Sequence, residues 1–488
     1  LADFPVYDAS KVDKALEERM ELAQKICSMG LSLRKRARIR VRQPLSRIMI
    51  PCLSDDFAAQ IHAVEGLILS ELNVKRVDLL SDASMFVKQI KPDFKKMGPR
   101  YGKDMKAVAA RIQAMSQEEI ATLESEGVWE VELGGRTFAI HRDEVEISTQ
   151  DVEGSAVASD GGLTVALDLT IDEALRAEGI AREQGFETRR TNKGNLFVNV
   201  PGRESGRRVG LCAHVDTLGL MVRSISDSGM LMVTRVGGPL MPTLDGEYCR
   251  IYTRAGKVFT GTVLSLSPSA HVQDDAATRA RDEKNMAVRI DEKVRSREDV
   301  QALGIAPGDY VCYDPKTVIT ESGFVKSRFL DDKASAACLL TLLWRMHHTG
   351  ERPRYDTSIG FTVHEEVGHG GSTLPPLDEL LAVDMGCIGE DLSCTEYQVS
   401  ICAKDSNGPY DYGMVSRLVK LAADNGVDCA VDIYPHYGSD VAAAWEAGMD
   451  ARAALIGPGV HASHGMERTH LDALRATLKL AGLYLELE

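Results

Sequence analysis

The sequence predicts an α/β protein interrupted by a β-rich insertion and preceded by a separate α+β region. Three observations carry that prediction. From about residue 184, short apolar runs suited to buried strands alternate with helical patterns. Between 244 and 326 the texture changes to short β-prone runs broken by Gly, Pro and charge. Residues 1–183 hold helices and strands but nothing that resembles an active site. The expected domains are therefore 1–183, an α/β domain made of 184–243 and 327–488, and an insertion at 244–326.

Taken in order, Val12, Leu16, Met20, Ala23 and Cys27 recur at helical spacing after Ser10, a candidate N-cap, and Gly30 is a candidate stop. The basic run Arg34, Lys35, Arg36, Arg38, Arg40 and Arg42 reads either as a solvated face or as a phosphate contact. A helix is expected at 57–72, a strand at 74–80, a helix at 102–114 and an alternating stretch at 128–140. Residues 191–195 (TNKGN) read as a turn before a strand at 196–200. A polar loop at 201–208 then leads into the apolar run 209–213, which suits a buried strand. Inside the insertion, strands are expected at 249–253, 257–264, 286–290 and 310–313. Beyond it come a helix at 333–348, a strand at 358–363 and helices at 413–425 and 471–485.

Composition narrows the function classes. At 488 residues, 44% hydrophobic and 26% charged, the chain can build two or three domains with real cores. No apolar run is long enough to cross a bilayer, and the N-terminal Leu-Ala-Asp-Phe-Pro lacks a leader pattern. The expectation is thus a cytoplasmic protein without a membrane partner. Ten scattered cysteines without a C-x-x-C pair read as reduced thiols, so a metal would sit on His, Asp and Glu. A formal charge of −15 argues against a molecule-wide nucleic-acid binder and leaves room for a local basic patch.

The candidate chemistry lies at strand ends. His214 and Asp216 close the run 209–213, and a period of two places them on one side, where Asp216 can orient the imidazole while its other nitrogen binds metal. Asp331 and Asp332 precede a helix and read either as N-caps or as a bridging carboxylate with its neighbour. In FTVHEEVGHGG (361–371), Glu365 and Glu366 sit side by side after an apolar strand and repel each other unless cations or protons compensate. One could bind metal while the other moves a proton. His364 and His369 flank them. Asp384 ends another apolar strand, whereas Glu390 and Asp391 resemble a polar turn. HASHGMERTH (461–470) adds His461, His464 and His470. Jointly these are the hard-to-borderline donors of a co-catalytic divalent pair, for which Zn²⁺ or Co²⁺ suits better than Mg²⁺.

Two resemblances sharpen this. The motifs around His214-Val-Asp216-Thr, SRFLDDKAS (327–335), His364-Glu365-Glu366-Val-Gly368, Ala382-Val-Asp384-Met and ASHGME (462–467) resemble, in order, those of the tetrahedral, deblocking and glutamyl aminopeptidases, the forty-second metallopeptidase family. The likeness runs from about Gly185 to the C-terminus. It implies a mixed sheet flanked by helices, a barrel-like insertion and a two-metal site that hydrolyses N-terminal residues from peptides. It assigns metal binding to His214, Asp331, Glu366, Asp384 and His464, with Asp331 bridging, the general base to Glu365 and the aspartate behind the first histidine to Asp216. By the same match His369, His461 and His470 are not ligands. It also implies a homo-oligomer, if the N-terminal region permits the assembly that this family makes through its inserted domain.

The segments RARIRVRQPL (36–45), LNVKRVDLL (72–80), IKPDFKKMGPRYGKDMK (90–106) and GGLTVALDLTIDEALRAEGIAR (161–182) resemble the C-terminal region of isoleucyl-tRNA synthetase. The synthetase's nucleotide-binding signatures do not occur, so this resemblance implies at most a tRNA contact through the basic run. It stands where aminopeptidases of the family usually carry a short helical segment, for which the helical stretch 171–184 is a substitute. The alternative reading is a tRNA-binding synthetase fragment fused to an inactive peptidase domain; a second is a truncated, joined gene product whose two halves never function as a unit. A di-metal deacylase or glycosidase is a further alternative within the enzymes, although no carboxylate pair favours glycoside chemistry over the metal site.

Overall fold

The computed structural model describes residues 13–52, 54–80, 88–149, 154–160 and 163–488. It divides the chain into two units, Leu1–Gly179 and Ile180–Glu488, the division falling within the helix Glu173–Glu183.

In the first unit Asp13 caps the opening helix by accepting the Leu16 N–H at 3.0 Å; the expected cap Ser10, with Val12, lies outside the described residues. The helix does not stop at Gly30 but runs Lys14–Arg36. A Cβ at Gly30 would lie 2.6 Å from a Leu72 methyl, so glycine serves here to let this helix close on the helix Asp55–Leu72. The basic run also departs from a plain solvated face. Arg34 is only 1% exposed and donates to the carbonyls of Arg40, Gln43 and Asn73 at 3.1, 2.8 and 3.0 Å, which makes it an internal staple at the helix C-terminus.

A four-stranded sheet in the order Val77–Leu80, Ile48–Pro51, Leu163–Asp168 and Ser155–Asp160 packs with these helices; Gly161 and Gly162 of the last synthetase-like segment lie outside the described residues. The helix expected at 102–114 is Met105–Gln113, entered through a 3-10 turn at Gly102–Asp104, and a further helix, Phe94–Tyr101, precedes it. The stretch 128–140 is a hairpin, Val128–Leu133 with Arg136–His141, which turns at Gly134 and Gly135, both at positive φ.

The second unit is built on a ten-stranded mixed sheet. Its four central strands, Tyr355–Thr362, Glu204–His214, Glu379–Val383 and Arg452–Val460, run parallel. Antiparallel strands flank them, Leu196–Val200 on one side and Val399–Asp405 on the other. All of Glu379–Val383 is buried, as expected of a strand covered on both faces. Helices Leu330–Thr349, Tyr412–Asp424 and Leu471–Tyr484 pack on the sheet and on one another, and the short helix Asp440–Glu446 packs against Glu204–His214 and Glu379–Val383. Glu379, 1% exposed, accepts from Arg452 at 2.8 Å and from the Tyr484 hydroxyl at 3.1 Å, which ties the sheet to the C-terminal helix.

The insertion is a closed barrel in the order Gly219–Ile225, Leu231–Val236, Met286–Ile290, Val258–Ser265, Tyr248–Tyr252 and Tyr310–Tyr313. Leu220, Leu231, Ile251, Val263 and Val311 fill its core. It therefore begins at Gly219 and not at the expected 244. The hydrophobic alternation of its first two strands is the same whichever sheet they join, so it does not mark the boundary. At the other end, Phe324–Ser327, expected within the insertion, pairs with Glu467–His470 beside the C-terminal helix. Among the described residues no helix is long and apolar enough to cross a membrane, and all ten cysteines are free.

Candidate metal centre

The carboxyl ends of parallel strands form the crevice in which open α/β sheets bind ligands, and the predicted site residues gather there. His214 is the last residue of Glu204–His214, Glu365 and Glu366 follow Tyr355–Thr362, and Asp384 follows Glu379–Val383. His464 follows Arg452–Val460. Donor atoms of His214, Asp331 and Asp384 lie within 4.8 Å of one another, and so do those of Asp331, Glu366 and His464. Asp331 belongs to both groups.

Asp331 reaches that shared position because the chain is not yet helical there. Asp331 (φ −75°, ψ 101°) and Asp332 (φ −122°, ψ 31°) precede the regular turns of the helix, whose start has no side-chain cap bond. For Asp331 the capping alternative therefore gives way, while Asp332 stands directly before the first regular turn. Asp331 Oδ1 lies 2.9 Å from His214 Nε2, and its Oδ2 lies 3.5 Å from His464 Nε2. Asp332 accepts the His214 backbone N–H at 3.1 Å and fixes the strand end beside it.

Asp216 stands behind His214, Oδ1 to Nδ1 3.5 Å. Its shorter bonds go elsewhere: its two oxygens accept the backbone N–H groups of Glu365 and Glu366, each at 3.2 Å. Asp216 thus anchors the glutamate pair by their backbone, while the buried His214 Nδ1 beside it makes no hydrogen bond. His464 Nδ1 lies 2.9 Å from the Gly238 carbonyl, which requires the proton on Nδ1 and, in the neutral imidazole, leaves the Nε2 lone pair available to a metal, 3.5 Å from Asp331 and 3.9 Å from Glu366.

Glu467, the last residue of the ASHGME motif, has no role that the sequence alone assigns. Buried to 1% exposure, it accepts the backbone N–H of Asp331 at 3.1 Å and that of His464 at 2.9 Å, so one carboxylate aligns two candidate ligands. An acid three residues after a histidine was the available signal. His364 and His369 stack on each other at 4.9 Å, and His470 accepts the Asp472 N–H at the start of the last helix. Neither these three nor the exposed His461, Glu390 and Asp391 belong to the two clusters.

The electrostatics follow from crowding. Burial, reinforced by the Asp331 charge, pushes the Glu366 carboxyl up to about 8 and that of Asp384 up to about 7. Burial, reinforced by the Asp384 charge, also raises Glu365 well above the ordinary carboxylate range. Burial opposes ionisation of Asp331 too, but the imidazoles on either side outweigh it and hold its carboxyl below the usual value. His464 is raised to about 9, chiefly by its bond to Asp331. Such a cluster requires positive charge, supplied by protons or by cations. Glu366 Oε1 is buried with no hydrogen-bond partner, and the converging donors are a mixed N/O set, so the residues present fit divalent ions. A cavity of about 360 Å³ opens over Asp331, Glu365, Glu366, Asp384 and His464 and extends toward Asn407, His436 and Glu446.

The M42 glutamyl aminopeptidase profile matches residues 194–480. YhfE of Bacillus subtilis, a protein whose name places it among the aminopeptidases, is 47% identical over 311 residues, 63% of this chain and 90% of that one. Isoleucine–tRNA ligase of Porphyromonas gingivalis is 50% identical over 184 residues, 38% of this chain and only 16% of the ligase. Among solved structures, aminopeptidase APDkam598 of Desulfurococcus kamchatkensis superposes with TM-score 0.58 at 21% identity, covering 64% of this chain and 88% of that one. The TET1 peptidase of Pyrococcus horikoshii does so with TM-score 0.55 at 22% identity over 64% and 93%.

Proposed function

The chain belongs to the M42 glutamyl aminopeptidase family and is a metal-dependent aminopeptidase, and we propose that it works through His214, Asp331, Glu366, Asp384 and His464 as ligands of two divalent ions, with Glu365 as general base. The observation that carries this reading is Asp331, held between His214 and His464 and common to both donor groups. The donor set favours Zn²⁺ or Co²⁺. When bound, such a pair supplies Lewis acidity to the scissile carbonyl and to the attacking water.

The chain's own residues do the rest. Glu365 takes a proton from the attacking water on a carboxylate oxygen and returns it to the nitrogen of the departing peptide, so the C–N bond breaks with the proton balance closed. Asp216 holds the Glu365 backbone so that the carboxylate faces His214, Oε2 to Nε2 3.8 Å. The cavity over the cluster receives the N-terminal residue.

Activity is expected on a panel of aminoacyl-p-nitroanilides after reconstitution with Zn²⁺ or Co²⁺, with loss on chelation and recovery on adding metal back. Hydrolysis that chelator leaves untouched would rule out the metal reading.

Self-association is part of the same proposal. It is supported by the dodecamer of a TET1 relative and by exposed aromatic residues on neighbouring barrel strands, Tyr252 opposite Tyr310, with Tyr248 at the other end of the first of these strands. Sedimentation velocity of the full chain decides it, and a monomer at micromolar concentration would count against it. The first region is proposed to derive from the end of an isoleucyl-tRNA synthetase, on the strength of the identity over 184 residues.

A further inference from the structure

The seven residues from His364 to Gly370 carry both glutamates, and a single buried side chain grips this loop at each end. Strand Leu196–Val200 pairs antiparallel with Tyr355–Thr362, with Leu196 opposite Phe361 as the last pair of the ladder. Asn195, one residue before it, continues the ladder with its side chain. Its Oδ1 accepts the Val363 N–H at 2.8 Å. Its Nδ2 donates to the Gly370 carbonyl at 2.8 Å and to Thr373 Oγ1 at 2.8 Å. Asn195 is 0% exposed.

The amide cannot be flipped without setting its NH₂ against the Val363 N–H and its oxygen against the Gly370 carbonyl, so the bonds fix its orientation. The backbone of Asn195 is itself held. Its N–H donates to Thr191 Oγ1 at 3.1 Å, and its carbonyl accepts the Thr191 N–H at 2.9 Å. Lys193 of the same turn donates to the His369 carbonyl at 2.7 Å and to Ser372 Oγ at 2.9 Å. The turn TNKGN is thus a rigid bracket for the segment that bears Glu365. Asp216 fixes the middle of that segment and Asn195 its two ends.

We propose that Asn195 is a positioning residue for the hydrolytic step, closing the 363–370 loop so that Glu365 is held at reacting distance. This rests on the reading of Glu365 as general base. Asn195 bonds to none of the candidate ligands, and Glu366, the ligand on this loop, keeps its own backbone anchor on Asp216 at 3.2 Å, so the effect should appear chiefly in turnover.

Asn195→Asp is the informative change, because it keeps the acceptor for Val363 and replaces the donor to Gly370 by an oxygen. In the full-length, metal-reconstituted chain, assayed with the best-cleaved aminoacyl-p-nitroanilide, kcat is expected to fall about 10²-fold, as for a displacement of about 1 Å at a reacting group. KM and metal content should stay unchanged. Combined with Glu365→Gln, it should cause no loss beyond that of Glu365→Gln alone, since both act through one carboxylate. An unchanged kcat, a loss carried by KM or metal content, or additivity in the double variant would overturn the proposal. Full turnover in Glu365→Gln alone would instead sink the base assignment, whatever Asn195→Asp does. Should Asn195→Asp fail to fold, Thr373→Val removes one bond at the far end of the loop and should lower kcat in the same selective way; an unaltered kcat there also overturns the proposal.

Discussion

Replacing Glu365 by Gln is expected to lower kcat by about 10³-fold while leaving metal content intact, because a positioned general base contributes roughly 10²–10⁴-fold. The change is nearly isosteric and spares the Glu365 backbone N–H that binds Asp216 at 3.2 Å, so the loop keeps its anchor. What disappears is the ability to hold a proton between its removal from water and its delivery to the leaving amine. Glu366, one residue on, cannot substitute. Its Oε2 faces His464 Nε2 at 3.9 Å, within the cluster formed with Asp331, whereas Glu365 Oε2 lies against the His214 side of the centre. Steady-state kinetics with elemental analysis of the same preparation check this. Turnover within tenfold of the unmodified chain would reassign the base. In free-energy terms the expected loss is about 4 kcal/mol of transition-state stabilisation, too large to arise from a slight shift of substrate.

The parts of this site that were legible in the sequence share one property: each sits where a regular element ends. His214, Glu365, Glu366 and Asp384 follow continuous apolar runs of strand length, and an acid or histidine there has few other reasons to be buried. Asp331 was ambiguous because the residues before a helix are also where caps belong, and only the non-helical backbone at Asp331 and Asp332 resolves it. Asn195 has no local signal in the sequence, and Glu467 has only its place three residues after His464. Their importance lies in which backbone groups they meet across 136 and 175 positions of chain, and no local pattern encodes such pairings. The fold shows the same division. Strand and helix periodicity marked most elements of the second unit, yet the barrel took two strands, Gly219–Ile225 and Leu231–Val236, from the segment assigned to the α/β domain, since alternation does not name the partner sheet. Gly30 failed as a stop signal for a related reason: its missing side chain serves the approach of Leu72, a tertiary demand that overrides the local preference.

Asp331→Asn should cost both metal ions, whereas Asp384→Asn should cost one. The difference follows from membership. Asp384 belongs only to the group with His214 and Asp331, while Asp331 also completes the group with Glu366 and His464. The amide preserves shape, and the Asp331 backbone N–H to Glu467 at 3.1 Å is untouched, so the fold should survive. It removes the negative charge between two imidazoles and replaces one oxygen donor by an NH₂ group that cannot ligate. Elemental analysis after dialysis should therefore fall from about two ions per chain toward none for Asp331→Asn, and to about one for Asp384→Asn. Stability reports the same event without any substrate. A ligand at about 100 times its Kd stabilises the native state by about 2.7 kcal/mol, so added Zn²⁺ or Co²⁺ should raise the melting temperature of the unmodified chain and leave that of Asp331→Asn unmoved. Retention of full metal content and of the metal-induced shift by Asp331→Asn would show that the two donor groups are not joined through this residue. The bridging assignment would then fall even if the enzyme proved to be an active metallopeptidase.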